Sequence, residues 1–251
     1  MFIITSEGLK VYYEVKGEGQ PLLLLHGWGA SSFGMRSLLE HFSARFKVYA
    51  FDLPGFGQSG EPVQTWGSRE YADCIFQIRQ KLGIGRAHLM AHSFGGRLAV
   101  ILAAQHPELT DKVVLTGSAG LVPQRDLGYY VKIYSAKLGK GLLDLAGNPG
   151  KKLHRRLLSR LGSADYKSAS VQMRAILAKV VNEDLSAFLP QIKAPTLLVW
   201  GDQDTATPLE MGRKMKQAIP ASKLVIFSGH GHFAFIEKSG EFCRIVDDFL
   251  M

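Results

Sequence analysis

Six short runs of almost uninterrupted apolar residues punctuate the chain, at positions 22–25, 46–51, 87–91, 112–116, 196–200 and 224–227. A strand with one wet face alternates polar and apolar residues. Runs that do not alternate suit strands of a parallel sheet covered on both faces. Amphipathic stretches lie between most of them, at 34–44, 68–82, 94–106, 208–218 and 237–250. In the second of these, Tyr71, Ile75, Ile78 and Leu82 recur at helical spacing and mark one buried face. Strand and helix in alternation predict an α/β fold with a mostly parallel, doubly wound sheet. Ahead of it, Ile3-Ile4-Thr5 and Val11-Tyr12-Tyr13-Glu14-Val15 flank a Glu7-Gly8 turn, which predicts an N-terminal β-hairpin.

The alternation breaks only between residues 121 and 190, a span too long for a loop. Leu153, Leu157, Leu158 and Leu161 share a helical face there, with Lys152, Arg155, Arg156 and Arg160 around the rest. The expected organisation is one α/β core, residues 1–120 and 191–251, carrying a helical cap at 121–190. A chain of 251 residues with 46% hydrophobic and 21% charged residues can bury a large core, which excludes the disordered and fibrous classes. Its net charge of +8 is concentrated, because residues 121–190 hold twelve Lys and Arg against five Asp and Glu. Dispersed cations without a nucleic-acid motif describe a solvated face, so no nucleic-acid partner is expected. The amphipathic stretch 151–161 allows at most weak contact with an anionic surface. Cys74 and Cys243 fall in helical patterns without metal-ligand spacing and read as buried free thiols. The opening Met1-Phe2-Ile3-Ile4-Thr5-Ser6-Glu7 lacks a charged region followed by a long apolar one, and no run approaches a spanning length of about 18 residues. A cytoplasmic protein with no stable membrane insertion is expected; its oligomeric state stays open.

Candidate chemistry clusters at the ends of the predicted strands. Ala91-His92-Ser93-Phe94-Gly95-Gly96 lies between an apolar run and a helix. A strand that reverses abruptly into a helix strains its apex residue and needs small neighbours two positions away, here Ala91 and Gly95. Ser93 would stand at the carboxyl end of a central strand, where open α/β sheets bind ligands. Asp204 follows the fifth apolar run and His232 the sixth. Ser, Asp and His in that chain order suit a nucleophile, the residue that orients its base, and the base. Asp202, two residues earlier, is the other acid of the same loop. His26 and Asp52 read as loop-holding residues, and His230 with His232 lacks a third ligand for a metal. His92 either lines a pocket or fills space beneath the sheet. Arg97, four residues after Ser93, is either an ion-paired helix residue or an anchor for an anionic substrate.

Five pieces in order resemble the α/β-hydrolase fold superfamily: His26-Gly27-Trp28-Gly29, Asp52-Leu53-Pro54-Gly55-Phe56-Gly57-Gln58-Ser59, the Ser93 turn, Gly201-Asp202-Gln203-Asp204 and Gly231-His232-Phe233. One departure is Ala91, where the usual G-x-S-x-G has its first glycine. The resemblance covers the chain outside the cap and implies a Ser93, Asp204 and His232 triad, because members with G-x-x-D after this strand use the last Asp, which leaves Asp202 as the second choice. It also implies backbone N–H groups of Trp28 and Phe94 as an oxyanion hole, and neither cofactor nor metal. The implied activity is serine-dependent hydrolysis of a small-molecule ester through an acyl-enzyme, with Tyr129, Tyr130, Ile133, Tyr134, Leu138, Leu142 and Leu143 of the cap as apolar walls. Ser-x-Gly-Gly-Arg also resembles the menaquinone-pathway synthase branch, a lyase acting on a carboxylated substrate, although that branch usually has Tyr in place of His92. Ring-fission C–C hydrolases fit less well, since they typically have Asn at His92 and Trp at Phe233. A slow-turnover, ligand-binding relative is the third alternative.

Overall fold

The computed structural model describes residues 1–122 and 169–251. Its eight strands are β1 (Phe2–Ile4), β2 (Lys10–Lys16), β3 (Pro21–Leu25), β4 (Lys47–Phe51), β5 (Ala87–His92), β6 (Thr110–Thr116), β7 (Thr196–Gly201) and β8 (Ser222–Phe227). They form one sheet in the order β1-β2-β4-β3-β5-β6-β7-β8. The hairpin forms as its turn residues require: Gly8 takes φ 79°, a left-handed conformation that costs glycine little, and β1 pairs antiparallel with β2. β2 continues antiparallel onto β4, and every later pairing is parallel.

The apolar runs are continuous because alternate residues enter different cores. Leu23 and Leu25 of β3 join one cluster with Leu89 and Ala91 of β5 and Leu198 and Trp200 of β7. Helices α2 (Ser68–Lys81), α3 (Phe94–Gln105) and α5 (Leu209–Ala218) cover that face. Leu22 and Leu24 point to the other face, with Met90, Val114, Leu197 and Val199, beneath α1 (Arg36–Phe42) and the last helix, α7 (Ser239–Leu250). All four leucines of β3 are 0% exposed, and each contributes roughly 1.5–3 kcal/mol relative to an exposed position. β8 departs from the expected two-sided burial. It is the sheet edge, so Leu224 and Val225 are half-buried and Ile226 is exposed.

Two further helices complete the described chain, α4 (Val171–Val180) and the single turn α6 (Ala234–Glu237). Leu185 N–H donates to the Gly120 carbonyl (2.8 Å), which ties the chain just after β6 to the stretch that leads into β7. From there Leu185, Phe188 and Leu189 enter the main core. The Leu153–Leu161 stripe, the aromatic series from Tyr129 and most of the cationic cluster lie outside the described residues. Among the described residues no helix is long and apolar enough to cross a membrane.

β3 sits between β4 on one side and β5 on the other, so the winding direction reverses there. This switch point opens a crevice at the carboxyl ends of β3 and β5. Leu25 is level with Ala91, which puts His26-Gly27-Trp28 beside His92-Ser93. The approach is tight: a Cβ on Gly95 would run into the Leu25 carbonyl. Gly95→Ala is therefore expected to destabilise the protein by about 1–3 kcal/mol, read as a lower urea midpoint at unchanged m-value; an unchanged midpoint would contradict this packing.

Candidate active site

Ser93 is the single residue between β5 and α3, and its backbone is at φ 51° and ψ −113°. Among the described residues it is the one non-glycine with positive φ. Such a conformation costs on the order of 1–3 kcal/mol and persists only when its surroundings impose it. Ser93 N–H donates to the Thr116 carbonyl (3.2 Å), and the Ser93 carbonyl accepts from Gly96 N–H and Ala119 N–H at 3.0 Å each. A Cβ on Gly96 would collide with the Ser118 hydroxyl, so glycine is required on this side as well. Ala91, at 0% exposure, is packed with its methyl in place.

The loops after β7 and β8 bring Asp204 and His232 together, with His232 Nδ1 2.8 Å from Asp204 Oδ2. The other carboxylate oxygen, Oδ1, accepts from Ala206 N–H and Thr207 N–H, both at 2.9 Å. Thr207 Oγ1 lies 2.8 Å from Asp204 Oδ2 and 2.9 Å from the Gly117 carbonyl; its one proton serves one acceptor at a time. Burial raises the Asp204 pKa, but the bonds from His232 and Thr207 outweigh it and leave the group below its ordinary value. Asp204 is thus ionised, His232 donates through Nδ1–H, and Nε2 is free to accept a proton. Asp202 faces solvent and holds the loop after β8, accepting from Ser228 Oγ (3.0 Å) and Gly229 N–H (2.8 Å). Gly117, at φ 48°, gives the pair room, since its Cβ would stand 3.1 Å from His232 Nδ1.

On the β3 side, His26 and Asp52 organise loops. Leu53 N–H donates to His26 Nε2 (2.9 Å), while His26 Nδ1 lies 2.7 Å from the Gly27 carbonyl. Asp52 accepts from Ser32 N–H and Gln58 N–H, each at 2.7 Å. Neither the Trp28 N–H nor the Phe94 N–H donates a hydrogen bond to the described residues. Phe94 opens α3, where backbone N–H groups lack helical partners. The two rings meet edge-on with centroids 5.2 Å apart, and Phe56 adds a third edge to Trp28 at 4.9 Å.

Ser93, Trp28, Phe94, Leu177, Val181 and Met211 line a cavity of about 190 Å³. Arg97 is its charged wall residue. It is 4% exposed and donates Nη1–H to the Glu183 carbonyl (3.2 Å), a main-chain acceptor in place of the ion pair considered from sequence. Glu183 is itself pinned, because its carboxylate accepts from Ser68 N–H at the start of α2 (2.9 Å). Burial pushes the Arg97 pKa down to about 10, against the attraction of Glu183 and Asp184, which leaves a cation at neutral pH. His92 is absent from the cavity wall. It is 4% exposed beneath the loop that carries His232, with Nε2 3.1 Å from the His232 carbonyl. Thr207 and Gly117 went unread in the sequence; a Thr three residues after Asp204 fits a capping turn, whereas Gly117 had no local signal.

The family profile of the alpha/beta hydrolase fold matches residues 20–239. The chain belongs to that family and is a hydrolase. It is similar to the 2-hydroxy-6-oxo-6-phenylhexa-2,4-dienoate hydrolase of Comamonas testosteroni, at 30% identity over 96% of this chain and 91% of that one. With the 2-hydroxy-6-oxononadienedioate/2-hydroxy-6-oxononatrienedioate hydrolase of Burkholderia vietnamiensis the identity is 32%, over the same shares. Among solved structures, a meta-cleavage product hydrolase from Pseudomonas fluorescens superposes with a TM-score of 0.76 at 25% identity, over 100% of this chain and 97% of that one.

The buried histidines make stability depend on pH. Burial lowers the His26 pKa from 6.5 to about 4, and that of His92 to about 3. Both are neutral in the folded protein where the unfolded chain binds protons. Their contribution is complete above pH 6.5 and is lost as the pH falls from there, toward 4 for His26 and toward 3 for His92. The expected loss is up to about 3 kcal/mol for His26 and about 5 kcal/mol for His92. The urea midpoint should fall across this window, and less steeply in His26→Gln; parallel curves for the two proteins would contradict the assignment.

Proposed function

We propose that this protein is a serine hydrolase of small-molecule carboxylic esters, in which Ser93 is the nucleophile, His232 the general base and Asp204 the residue that orients and stabilises the imidazole. The observation that carries this reading is the strained Ser93 turn at the mouth of the cavity together with the 2.8 Å His232–Asp204 pair. Ser93 Oγ attacks the substrate carbonyl while His232 Nε2 takes its proton. The tetrahedral oxyanion is held by the Trp28 and Phe94 N–H groups, which have no other described acceptor. His232 then protonates the departing alcohol, and a water molecule, deprotonated by the same imidazole, cleaves the acyl-enzyme. Among the described residues Ser93 Oγ makes no hydrogen bond, in keeping with a nucleophile whose contact with its base tightens when substrate enters. Leu177, Val180 and Val181 supply one cavity wall from the 121–190 insertion, which supports its reading as a cap.

A second substrate class has specific support. The dienoate named for the Comamonas relative carries a carboxylate and a ketone and no ester, so its hydrolysis breaks a carbon–carbon bond. Arg97, a buried cation on an otherwise mainly apolar cavity, is a fitting anchor for such a carboxylate. His92 and Phe233 still stand where that class typically has Asn and Trp. A carboxylated lyase substrate would use the same anchor.

A fluorophosphonate probe should label the wild-type protein and leave Ser93→Ala unlabelled, and the same substitution should lower turnover of p-nitrophenyl butyrate by at least about 10³-fold. Equal labelling of both proteins would remove Ser93 from the mechanism. Arg97→Ala should raise KM for carboxylate-bearing substrates, ester or dienoate, by roughly 10- to 100-fold relative to neutral esters. The same change on neutral and carboxylate-bearing substrates would rule out the anchor.

A further inference from the structure

The carboxyl ends of β5 and β8 carry Ser93 and His232, yet these strands are not neighbours, since β6 and β7 lie between them. No ladder hydrogen bond can therefore set the height of the histidine loop against the Ser93 turn. The Asp204–His232 pair spans only the adjacent strands β7 and β8. One side chain makes the longer bridge. His92, the last residue of β5, reaches across the sheet end to a partner 140 positions later in the chain, with Nε2 3.1 Å from the His232 carbonyl. Its ring is held by those of His232, Phe235 and Phe233, with centroids 4.6, 4.7 and 5.3 Å away. On the opposite side it fills the space left by Gly27, whose Cβ would stand 2.9 Å from His92 Nδ1.

We propose that His92 is a positioning residue: it donates its Nε2–H to the main-chain carbonyl of His232 and so fixes the histidine loop against the nucleophile turn and the β3 loop. A carbonyl oxygen can only accept, so Nε2 must carry the proton. Burial keeps the ring neutral, with Nδ1 unprotonated. The role rests on the reading of His232 as the base. It replaces the substrate contact considered from sequence, since His92 lies outside the cavity wall. Misplacing a reacting group by about 1 Å costs on the order of 10²-fold in rate, so a tie of this kind acts on turnover more than on substrate binding.

The test pairs His92→Gln with His92→Met, side chains of similar length of which only Gln retains an N–H near the Nε2 position. Gln should keep kcat for p-nitrophenyl butyrate within about 3-fold of wild type, and Met should lose roughly 10- to 100-fold in kcat with KM nearly unchanged. Equal kcat for the two variants, or a loss confined to KM, would overturn the proposal. Fluorophosphonate labelling of the wild type separates the failures: an unlabelled wild type sinks the active-site reading, whereas a labelled wild type with equal variants sinks only the role of His92. Should neither variant fold, the imidazole 15N spectrum of the wild type decides. A neutral His92 with its proton on Nε2 is expected, and a proton on Nδ1 would refute the bridge.

Discussion

The whole arrangement depends on one unfavourable piece of backbone, the positive φ of Ser93. A strand delivers this residue and a helix begins at the next, with no loop to relax the reversal. The surroundings impose it through the Thr116, Gly96 and Ala119 bonds and through glycines where any side chain would meet backbone or hydroxyl. The strain places Ser93 at the cavity and leaves the first N–H of α3 without a helical acceptor. Sheet order then does the rest, because the switch at β3 puts a second loop with a free N–H directly alongside.

Charge is handled by different means on the two sides of that turn. Asp204 is buried and ionised because four donors surround its oxygens, and the imidazole next to it gains a fixed tautomer. Burial keeps His26 and His92 neutral, and their hydrogen-bond partners are main-chain groups. Of these three histidines, His232 is the one that pairs with a carboxylate. Arg97 stays charged in its burial, with a carbonyl as partner and the cavity before it.

The sheet was legible in the sequence because parallel strands covered on both faces need no alternation; β3 with its four leucines is the plainest case. β8 read as an equal of the others, since apolar composition says nothing about which strand will be the edge. Ser93, Asp204 and His232 were legible from their order and from their places just past strands. The preference for Asp204 over Asp202 came from the resemblance, and the geometry separates them because a two-residue offset turns one inward and the other to solvent. The His92 hydrogen bond could not be read, because its partner is a main-chain carbonyl beyond two intervening strands that no local pattern reveals. Nor did the sequence favour the class to which the similar dienoate hydrolases belong: single differences at His92 and Phe233 weighed against it, while likeness over 96% of the chain carries other information.

The Gly120–Leu185 bond has a consequence for how such a protein diversifies. α4 and Glu183, which precede Leu185, are themselves bound to the core through Met173, Ile176, Val180 and the Ser68 and Arg97 bonds, so only the length of chain between Gly120 and α4 is nearly decoupled from the sheet: doubling a flexible loop adds only about 0.6 kcal/mol of closure cost. A lineage can therefore vary that stretch while retaining the Ser93 turn, the α4 wall of the cavity and the Arg97–Glu183 bond. The Gly120–Leu185 bond and α4 together form the fixed frame to which any such variant must return.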